Sequence, residues 1–220
     1  NHVETGPLEK VKRGLLGISA VPRPAILGVR AGSAGEAAGL QTFDRLLKVN
    51  DTVIKDEVQL TRLMETLSGP LTLTVIRSSL ADVGPAKLAI PRLVTVTIDR
   101  LPGTGFEALG AESADLYVWN VFANSPAEKA GLKRGDRLLS VDGVPSASWF
   151  SASSAIQATE GKPFSLSWLS GTETRTATVA LENVEELDEL KNKLTSLELG
   201  LRPRPASQGA NEILAAGPVA

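Results

Sequence analysis

The sequence predicts an α+β fold built from one structural unit that occurs twice. Segments 25–51 and 117–143 align without a gap, and 12 of the 27 aligned residues are identical. In both copies a longer helical pattern and two alternating strands follow the aligned segment. The chain of 220 residues is long enough for two domains of about 100 residues, each with its own modest core.

Each copy opens with a short strand that leads into a short helix. Ser33 and Ser125 are suitable helix caps, and a glutamate three residues later completes an S-x-x-E capping box in each copy. Gly39 and Gly131 then end the helices by adopting the left-handed conformation. This pattern predicts a helix of one or two turns at the same place in both copies.

The second part of each copy predicts a strand, a longer helix and a hairpin. The strands begin at Asp44 and Asp136 and end in turn sequences. Apolar residues at helical spacing come next: Leu60, Leu63, Met64 and Leu67 in the first copy, and Trp149, Ala152 and Ile156 in the second. Alternating strands are then expected over 71–75 and 94–98, and over 164–168 and 177–181.

Two segments depart from the repeat. Residues 78–92 are longer than their counterpart in the second copy and contain a Gly-Pro pair, so they predict an inserted, mobile loop. A leucine stripe predicts a short amphipathic helix from about Val184. Its members are Leu187, Leu190, Leu194 and Leu197. The tail 204–220 is rich in Gly and Ala without a clear period, and poor order is expected there.

The composition excludes several kinds of site. A formal net charge of -2, with acidic and basic residues interspersed, argues against a nucleic-acid partner. The sequence has no cysteine and only one histidine, His2, which leaves no ligand set for zinc and no base for a serine triad. It has no H-E-x-x-H motif and no apolar run of the ~18 residues that span a bilayer. No catalytic residue and no cofactor is expected in this chain.

The segment 125–143, S-P-A-E-K-A-G-L-K-R-G-D-R-L-L-S-V-D-G, closely resembles bacterial PDZ domains, and the first copy carries a weaker form of it. The resemblance implies two consecutive PDZ domains. Each would be a small, partly open β-barrel or sandwich with one short and one longer helix. The expected divisions are a flank at 1–13, domains at 14–101 and 106–182, a short helix and return strand at 183–203, and the tail at 204–220.

The resemblance also implies peptide-binding grooves, since PDZ domains add an extended peptide as a strand and hold its carboxylate on a Φ-Gly-Φ loop. In the first copy the implied groove residues are Arg13, Leu15, Leu16, Gly17, Ile18, Ser19, Ala20, Leu60 and Met64. In the second copy they are Leu109, Gly110, Ala111, Trp149 and Ile156.

Three motifs resemble the sigma-E-regulator proteases, membrane-embedded zinc metalloproteases of the site-2 family. They are D-G-x-P-x-x-x-W at 142–149 followed by Gly-Lys-Pro at 161–163, A-D-L-Y-V at 114–118, and L-G-L-R-P at 199–203, which resembles the strand that returns the chain to the membrane. The resemblance implies a parent with zinc in a catalytic domain outside this sequence. It places the tandem on the periplasmic face of a bacterial inner membrane, where it controls substrate access in regulated intramembrane proteolysis.

The implied partners are peptide C-termini or extended segments of membrane-protein substrates, together with the transmembrane protease domain of the parent. Two alternatives are kept open at this point. Paired PDZ domains of this kind also follow the protease domain of HtrA-type periplasmic serine proteases, and a stand-alone peptide-binding adaptor would carry the same motifs. The sequence alone does not decide whether the parent is a zinc metalloprotease, an HtrA-type serine protease or an adaptor.

Overall fold

The computed structural model describes residues 25–83, 86–99, 103–187, 193–204 and 213–214. Within them the chain forms two modules, the first module over 25–113 and the second module over 116–204, which share the order strand, short helix, two strands, longer helix and hairpin. Both combine short helices with open antiparallel sheets, so the α+β prediction is confirmed. The sheets are open and do not close into barrels.

The first module contains six strands and three helices. The strands are β1 (Leu27–Val29), β2 (Arg45–Val49), β3 (Thr52–Val53), β4 (Leu71–Val83), β5 (Ala86–Ile98) and β6 (Ala111–Ser113). The helices are α1 (Ala34–Ala37), α2 (Glu57–Thr66) and α3 (Gly105–Leu109). Strands β5, β4, β2 and β3 form one antiparallel sheet in that order, and β1 pairs with β6.

A 3-10 turn (Ala114–Leu116) connects the first module to the second. Its helices are α4 (Pro126–Lys129) and α5 (Trp149–Gln157). Its strands are β7 (Asn120–Val121), β8 (Arg137–Val141), β9 (Val144–Pro145), β10 (Phe164–Ser170), β11 (Glu173–Val179), β12 (Glu182–Leu187), β13 (Lys193–Glu198) and β14 (Leu201–Arg202). Strands β11, β10, β8 and β9 form its sheet, β12 pairs with β13, and β14 pairs with β7. A last strand, β15 (Ile213–Leu214), pairs with β5 of the first module.

The short helix α1 is capped at both ends by local contacts. The Ser33 hydroxyl accepts from the Glu36 N–H at 3.2 Å, as the capping box predicts. The Glu36 carboxylate accepts from the N–H of Gly32, one residue before the expected partner, at 2.6 Å. Gly39 ends the helix with φ of 96°. Helix α4 repeats this arrangement, so both predicted short helices are confirmed.

The prediction of a mobile loop over 78–92 is wrong for the described part of that segment. Strands β4 and β5 continue as one long hairpin, paired residue by residue from Leu71 and Ile98 to Val83 and Ala86. Pro91 lies in β5. Proline has no N–H to donate, so it is tolerated only where a strand lacks a neighbour on one side. The outer side of β5 has a paired neighbour only at Lys87 and Leu88.

The amphipathic helix expected from about Val184 is also absent from the described residues, which form the β12–β13 hairpin instead. The β-branched Val184 and Thr195 favour strands, and Leu197 packs against the core of the second module. The two strands also pair with each other along their facing edges, so tertiary packing and strand pairing outweigh the leucine spacing.

Each module has its own apolar core. In the first module the core is centred on Leu46, Leu73 and Val75, with Leu60 and Met64 of α2 on one side. In the second module it is centred on Leu138, Leu166 and Trp168, with Ala152 and Ile156 of α5 in the equivalent places. Both longer helices therefore bury the face that their apolar spacing predicts.

A third cluster joins the two modules. It consists of Phe43, Ala114, Tyr117 and Trp119, all buried. The rings of Phe43 and Trp119 meet edge to face with centroids 4.8 Å apart. The guanidinium carbon of Arg134 lies 3.4 Å from the centroid of the Trp119 ring. These aromatic and cation–π contacts hold Trp119 between the modules.

Polar contacts reinforce this junction. Glu112 of β6 pairs with Nε of Arg137 in β8 at 2.8 Å and accepts from the Tyr117 hydroxyl at 2.9 Å. Burial, followed by the charge of Glu112, raises the pKa of Tyr117, so the hydroxyl remains a donor. Arg204, which follows β14, donates to the Phe43 carbonyl oxygen at 2.8 Å. The chain therefore leaves the second module in contact with the first.

Candidate functional site

A cleft of about 590 Å³ lies in the second module between α5 on one side and β13 and β14 on the other. Leu138 of the sheet lines its floor, and Leu199 and Leu201 line the strand side. Four residues of α5 face it: Trp149, Ser153, Ile156 and Gln157. The cleft is therefore a groove between a helix and a strand edge, with leucines at its floor and strand side and polar residues such as Asn183, Thr195 and Ser196 elsewhere in its lining.

The helical wall is fixed at its N-terminal end by three side chains. The Ser148 hydroxyl accepts from the Ser151 N–H at 3.1 Å, and the Ser151 hydroxyl in turn accepts from the Ser148 N–H at 3.0 Å. The Asp115 carboxylate accepts from the N–H of Trp149 at 2.9 Å. Since Asp115 belongs to the 3-10 turn between the modules, the connector itself anchors the start of α5.

The strand wall begins at a tight turn. Gly200 has φ of 81°, and a side chain there would collide with Ser125. The Gly200 carbonyl accepts from Phe122 at 2.9 Å and the Arg202 carbonyl from Trp119 at 3.0 Å, both on the β7 side. Because backbone groups alternate along a strand, Leu201 between them directs its N–H and C=O to the opposite edge, toward the cleft.

Charge at the cleft is concentrated in one ion pair. Both carboxylate oxygens of Glu198 accept from Nη2 of Arg202, at 3.0 and 2.8 Å. The Arg202 guanidinium also lies over the Phe122 ring, 4.9 Å from its centroid. This pairing neutralises the rim and leaves the cleft floor apolar.

The structure places the second-copy site residues in two different modules. Trp149 and Ile156 line the cleft. Leu109 and Ala111 instead belong to the core of the first module, and Ala111 pairs with Val29 of β1. Gly110 has φ of 70°, and a side chain on it would collide with Ser33, as one on Gly200 would with Ser125.

The segments Leu109-Gly110-Ala111 and Leu199-Gly200-Leu201 are thus equivalent, each closing its own module. The sequence assigned 109–111 to the module that follows it, whereas strand pairing assigns it to the module that precedes it. Gln157, Leu199 and Leu201 were missed as groove residues. The available signal was the second L-G-Φ motif, which follows the second hairpin as the first follows its own.

In the first module the corresponding helix is α2, and its two predicted site residues are buried. Leu60 and Met64 are each only 1% exposed and face the core. Helix α3 packs against α2, with Phe106 partly buried against the same core. The remaining first-copy site residues, Arg13 and 15–20, lie outside the described residues. Their peptide-binding role stays a prediction.

The family comparison matches residues 118–169 to the PDZ domain model. This segment is a PDZ domain. The match runs from the strand before α4 through α5 to β10, so it includes the helical wall of the cleft. The predicted PDZ fold is therefore confirmed for the second module.

One curated relative extends the comparison over most of the chain. A Neisseria meningitidis serogroup A protein named "putative zinc metalloprotease" is 30% identical over 186 residues, which is 83% of this chain. The chain spans 40% of that relative's length. The predicted resemblance to PDZ-bearing zinc metalloproteases is therefore confirmed at this level.

The part of the chain that the structure describes contains no group of His, Cys, Asp or Glu that could hold a metal ion. Over the same residues, no helix combines the length and apolar character needed to cross a membrane. The PDZ domain is thus linked to a zinc metalloprotease relative without carrying a zinc site among its own described residues.

Proposed function

We propose that this chain is the substrate-access part of a membrane-embedded zinc metalloprotease, positioned on the periplasmic face of a bacterial inner membrane. It limits substrates by size and receives the free end of a processed substrate in the cleft of the PDZ domain. The observation that carries the proposal is that open cleft, with a strand edge facing a helix, in a chain similar to a zinc metalloprotease.

A size filter needs two modules that keep a fixed arrangement. The junction supplies this through the Phe43–Trp119 ring contact, the Glu112–Arg137 ion pair and the return contact of Arg204. The chain passes between the modules at the 3-10 turn and contacts the first module again at Arg204. Contacts at both places oppose hinge motion more than a single linker does. A fixed pair above a membrane active site would exclude substrates with large outer domains by sterics alone.

The cleft supplies the chemistry for binding an extended peptide. The N–H and C=O of Leu201 offer one strand pairing, and the apolar surfaces of Ile156 and Leu199 offer a pocket for one side chain. A backbone pairing with one anchored side chain gives micromolar affinity, about -8 kcal/mol. Such weak binding suits a substrate that must be released to the active site.

The name of the meningococcal relative favours a zinc protease as parent over an HtrA-type serine protease. The sequence has a single histidine, at position 2, so this chain does not supply a serine triad itself. The zinc, the transmembrane domain and the substrates belong to the proposed parent. The chain's own described residues contribute the filter and the cleft.

The test compares the full-length parent with a version that lacks the tandem. Two substrates share one transmembrane segment, and one of them retains a large folded outer domain. We expect the intact protease to cleave only the trimmed substrate and the deletion variant to cleave both. Unchanged or abolished cleavage after the deletion would contradict the filter. As a control, the intact protease with Phe150→Ala, which changes a side chain that is 79% exposed, should discriminate between the two substrates as wild type does.

A further inference from the structure

We propose that a pocket at the junction of the two modules binds a phosphate group, either as the free ion or on a lipid headgroup. The pocket has a volume of about 270 Å³, and it shares no lining residue with the cleft beside α5. The inference therefore goes beyond the proposed function and does not depend on peptide binding.

Both modules contribute to this junction pocket. Phe43 and Arg77 line it from the first module, and Trp119 and Arg134 line it from the second. The guanidinium carbon of Arg134 lies 3.4 Å from the centroid of the Trp119 ring and 4.7 Å from that of Phe43. A ligand in the junction pocket would therefore contact side chains of both modules at once.

These four side chains are not features of the repeated unit, since none of them is kept at the equivalent position of the other module. The alignment places Gly135 at the position of Phe43, Thr42 at that of Arg134 and Leu27 at that of Trp119, and strand register places Ser170 at that of Arg77. Both modules thus depart from the repeat at the place where they meet. Departures that converge on one pocket indicate a property of the junction and not of either module alone.

The backbone at Phe43 supports this view. Its φ of 77° lies in the left-handed region, which is unfavourable for a bulky side chain. The equivalent Gly135 adopts a φ of 92° without that cost. Strain of this kind persists only where the surrounding structure compensates for it, and it is common at ligand sites. The ring of Phe43 is thus held against Trp119 despite an unfavourable backbone.

The class of ligand follows from the polar groups of the junction pocket. Nε and Nη2 of Arg77 donate to Asp44 and to the Gly39 carbonyl oxygen, but among the described residues none accepts from its Nη1. The indole N–H of Trp119 is buried and likewise has no acceptor in the described part of the chain. Buried donors are normally paired, so the junction pocket requires an acceptor.

Asp44 is the one carboxylate of the pocket lining, and it is already satisfied. Its two oxygens accept from Arg77 at 2.8 and 2.6 Å, and Oδ2 also accepts from the Gln41 N–H at 2.9 Å. The charge of Arg77 thus balances that of Asp44, while the guanidinium of Arg134 adds a second cation to the lining. Guanidinium groups pair with phosphate through several parallel hydrogen bonds, and phosphate oxygens accept without donating in return.

The test is a two-dimensional NMR titration of the whole chain with inorganic phosphate, with chloride at matched ionic strength as the reference. The Trp119 indole signal is the direct reporter, and its loss in Trp119→Phe identifies it. The indole N–H of Trp168 provides an internal control. It is also buried without an acceptor among the described residues, but it lies in the core of the second module.

We expect the Trp119 indole signal to shift downfield and to saturate, with half-saturation at about 1 mM phosphate, while the Trp168 signal stays unchanged. We expect Arg134→Gln to weaken binding by about tenfold or more, because a charge-assisted contact is lost. Lys133→Gln is the matched control. It removes the same charge at the next residue, which is exposed and outside the pocket lining, so affinity should stay within about twofold of wild type.

Dihexanoyl phosphatidylglycerol, titrated below its micellar concentration, distinguishes the two sources of the phosphate group. Tighter binding of this diester than of the free ion assigns the junction pocket to a lipid headgroup, and the reverse assigns it to free phosphate. In both cases the Trp119 indole signal must be the one that responds.

Three results would overturn the inference. The first is a wild-type Trp119 indole signal that responds to neither compound, a result that does not depend on the folding of any variant. The second is a response that chloride produces equally. The third is equal weakening by Arg134→Gln and Lys133→Gln, which would show that phosphate binds to surface charge in general. The peptide-binding role of the cleft would be unaffected by all three.

Discussion

The first and second modules share one unit but differ beside their longer helices. In the first module α3 packs on α2, and Phe106 joins the core. In the second module β13 replaces that helix and stands away from α5, leaving the cleft. The difference lies in the segment between each hairpin and its L-G-Φ strand, outside the repeated residues. The repeat therefore determines the framework, and this added segment determines whether the groove is open.

The modules also differ at a buried aspartate. Asp44 and Asp136 are each 1% exposed. Nε and Nη2 of Arg77 donate to the two oxygens of Asp44 at 2.8 and 2.6 Å, and this hydrogen bonding raises the pKa of Arg77. Strand register places Ser170 where the first module has Arg77. Asp136 accepts from the Lys133 N–H at 2.9 Å. The stability of the first module therefore depends more strongly on one buried ion pair.

The largest expected effect tests that ion pair. Arg77→Leu leaves Asp44 buried without its guanidinium, and we expect the first module to lose roughly 3 to 5 kcal/mol of unfolding free energy. Urea unfolding followed by far-UV circular dichroism measures the loss. Backbone amide signals of the second module, followed by two-dimensional NMR over the same urea series, report that module separately and should change much less.

Ser170→Ala is the matched change in the second module. Among the described residues, the buried Ser170 hydroxyl has no hydrogen-bond partner, so its removal should leave stability unchanged or raise it by up to about 1 kcal/mol. If Ser170→Ala lost as much unfolding free energy as Arg77→Leu, the two positions would play the same role, and the modules would not differ at the buried aspartate.

The junction is tested by Trp119→Ala, which removes a side chain only 3% exposed. We expect a loss of about 3 kcal/mol and independent motion of the modules, since the ring contact with Phe43 disappears. Residual dipolar couplings measure the relative orientation. If one alignment tensor still fits both modules, the junction does not depend on this ring.

The two turns before the closing strands allow a paired test. Gly110→Ala and Gly200→Ala both add a Cβ at positive φ that would collide with a serine. We expect each to destabilise its own module by about 1 to 3 kcal/mol. Only Gly200→Ala should weaken peptide binding, measured by titration under conditions where both variants are folded. Equal weakening by Gly110→Ala would show that the effect is not specific to the second module.

The smallest expected effect concerns the connector. Asp115→Ala removes the acceptor for the Trp149 N–H, a contact similar to a helix cap and worth about 1 kcal/mol. We expect peptide affinity to fall by about fivefold because the helical wall loses its anchor. Asp115→Asn, which keeps an acceptor oxygen, should retain most of the affinity. If both variants bind like wild type, the connector does not position the cleft.

Much of the framework could be predicted because it depends on local chemistry. The Ser33 cap, the Gly39 helix end and the apolar face of α2 are determined by neighbouring residues, and all three are present. The β12–β13 hairpin could not be predicted, because the leucine spacing favours a helix, and the strand preference of Val184 and Thr195 prevails only together with the packing of Leu197 on the second core. The long β4–β5 hairpin likewise depends on pairing between distant residues.

The part of the candidate site that depends on local chemistry could also be predicted. Trp149 and Ile156 lie on a helix whose pattern is local, and both line the cleft. The strand wall depends on which module each L-G-Φ segment joins. That choice is made by pairing of Ala111 with Val29 and of Leu201 with Val121, which a single sequence does not encode locally. Gln157 has no motif at all and is recognised only by its contact with Leu197.

We expect the second module to be open to a peptide and the first to be closed. The decisive experiment is a two-dimensional NMR titration of the chain with a peptide ending in a free apolar residue. We expect shifts at 199–202 and along α5, with α2 and β6 unchanged. Shifts along α2 and β6 instead, or in neither module, would contradict it.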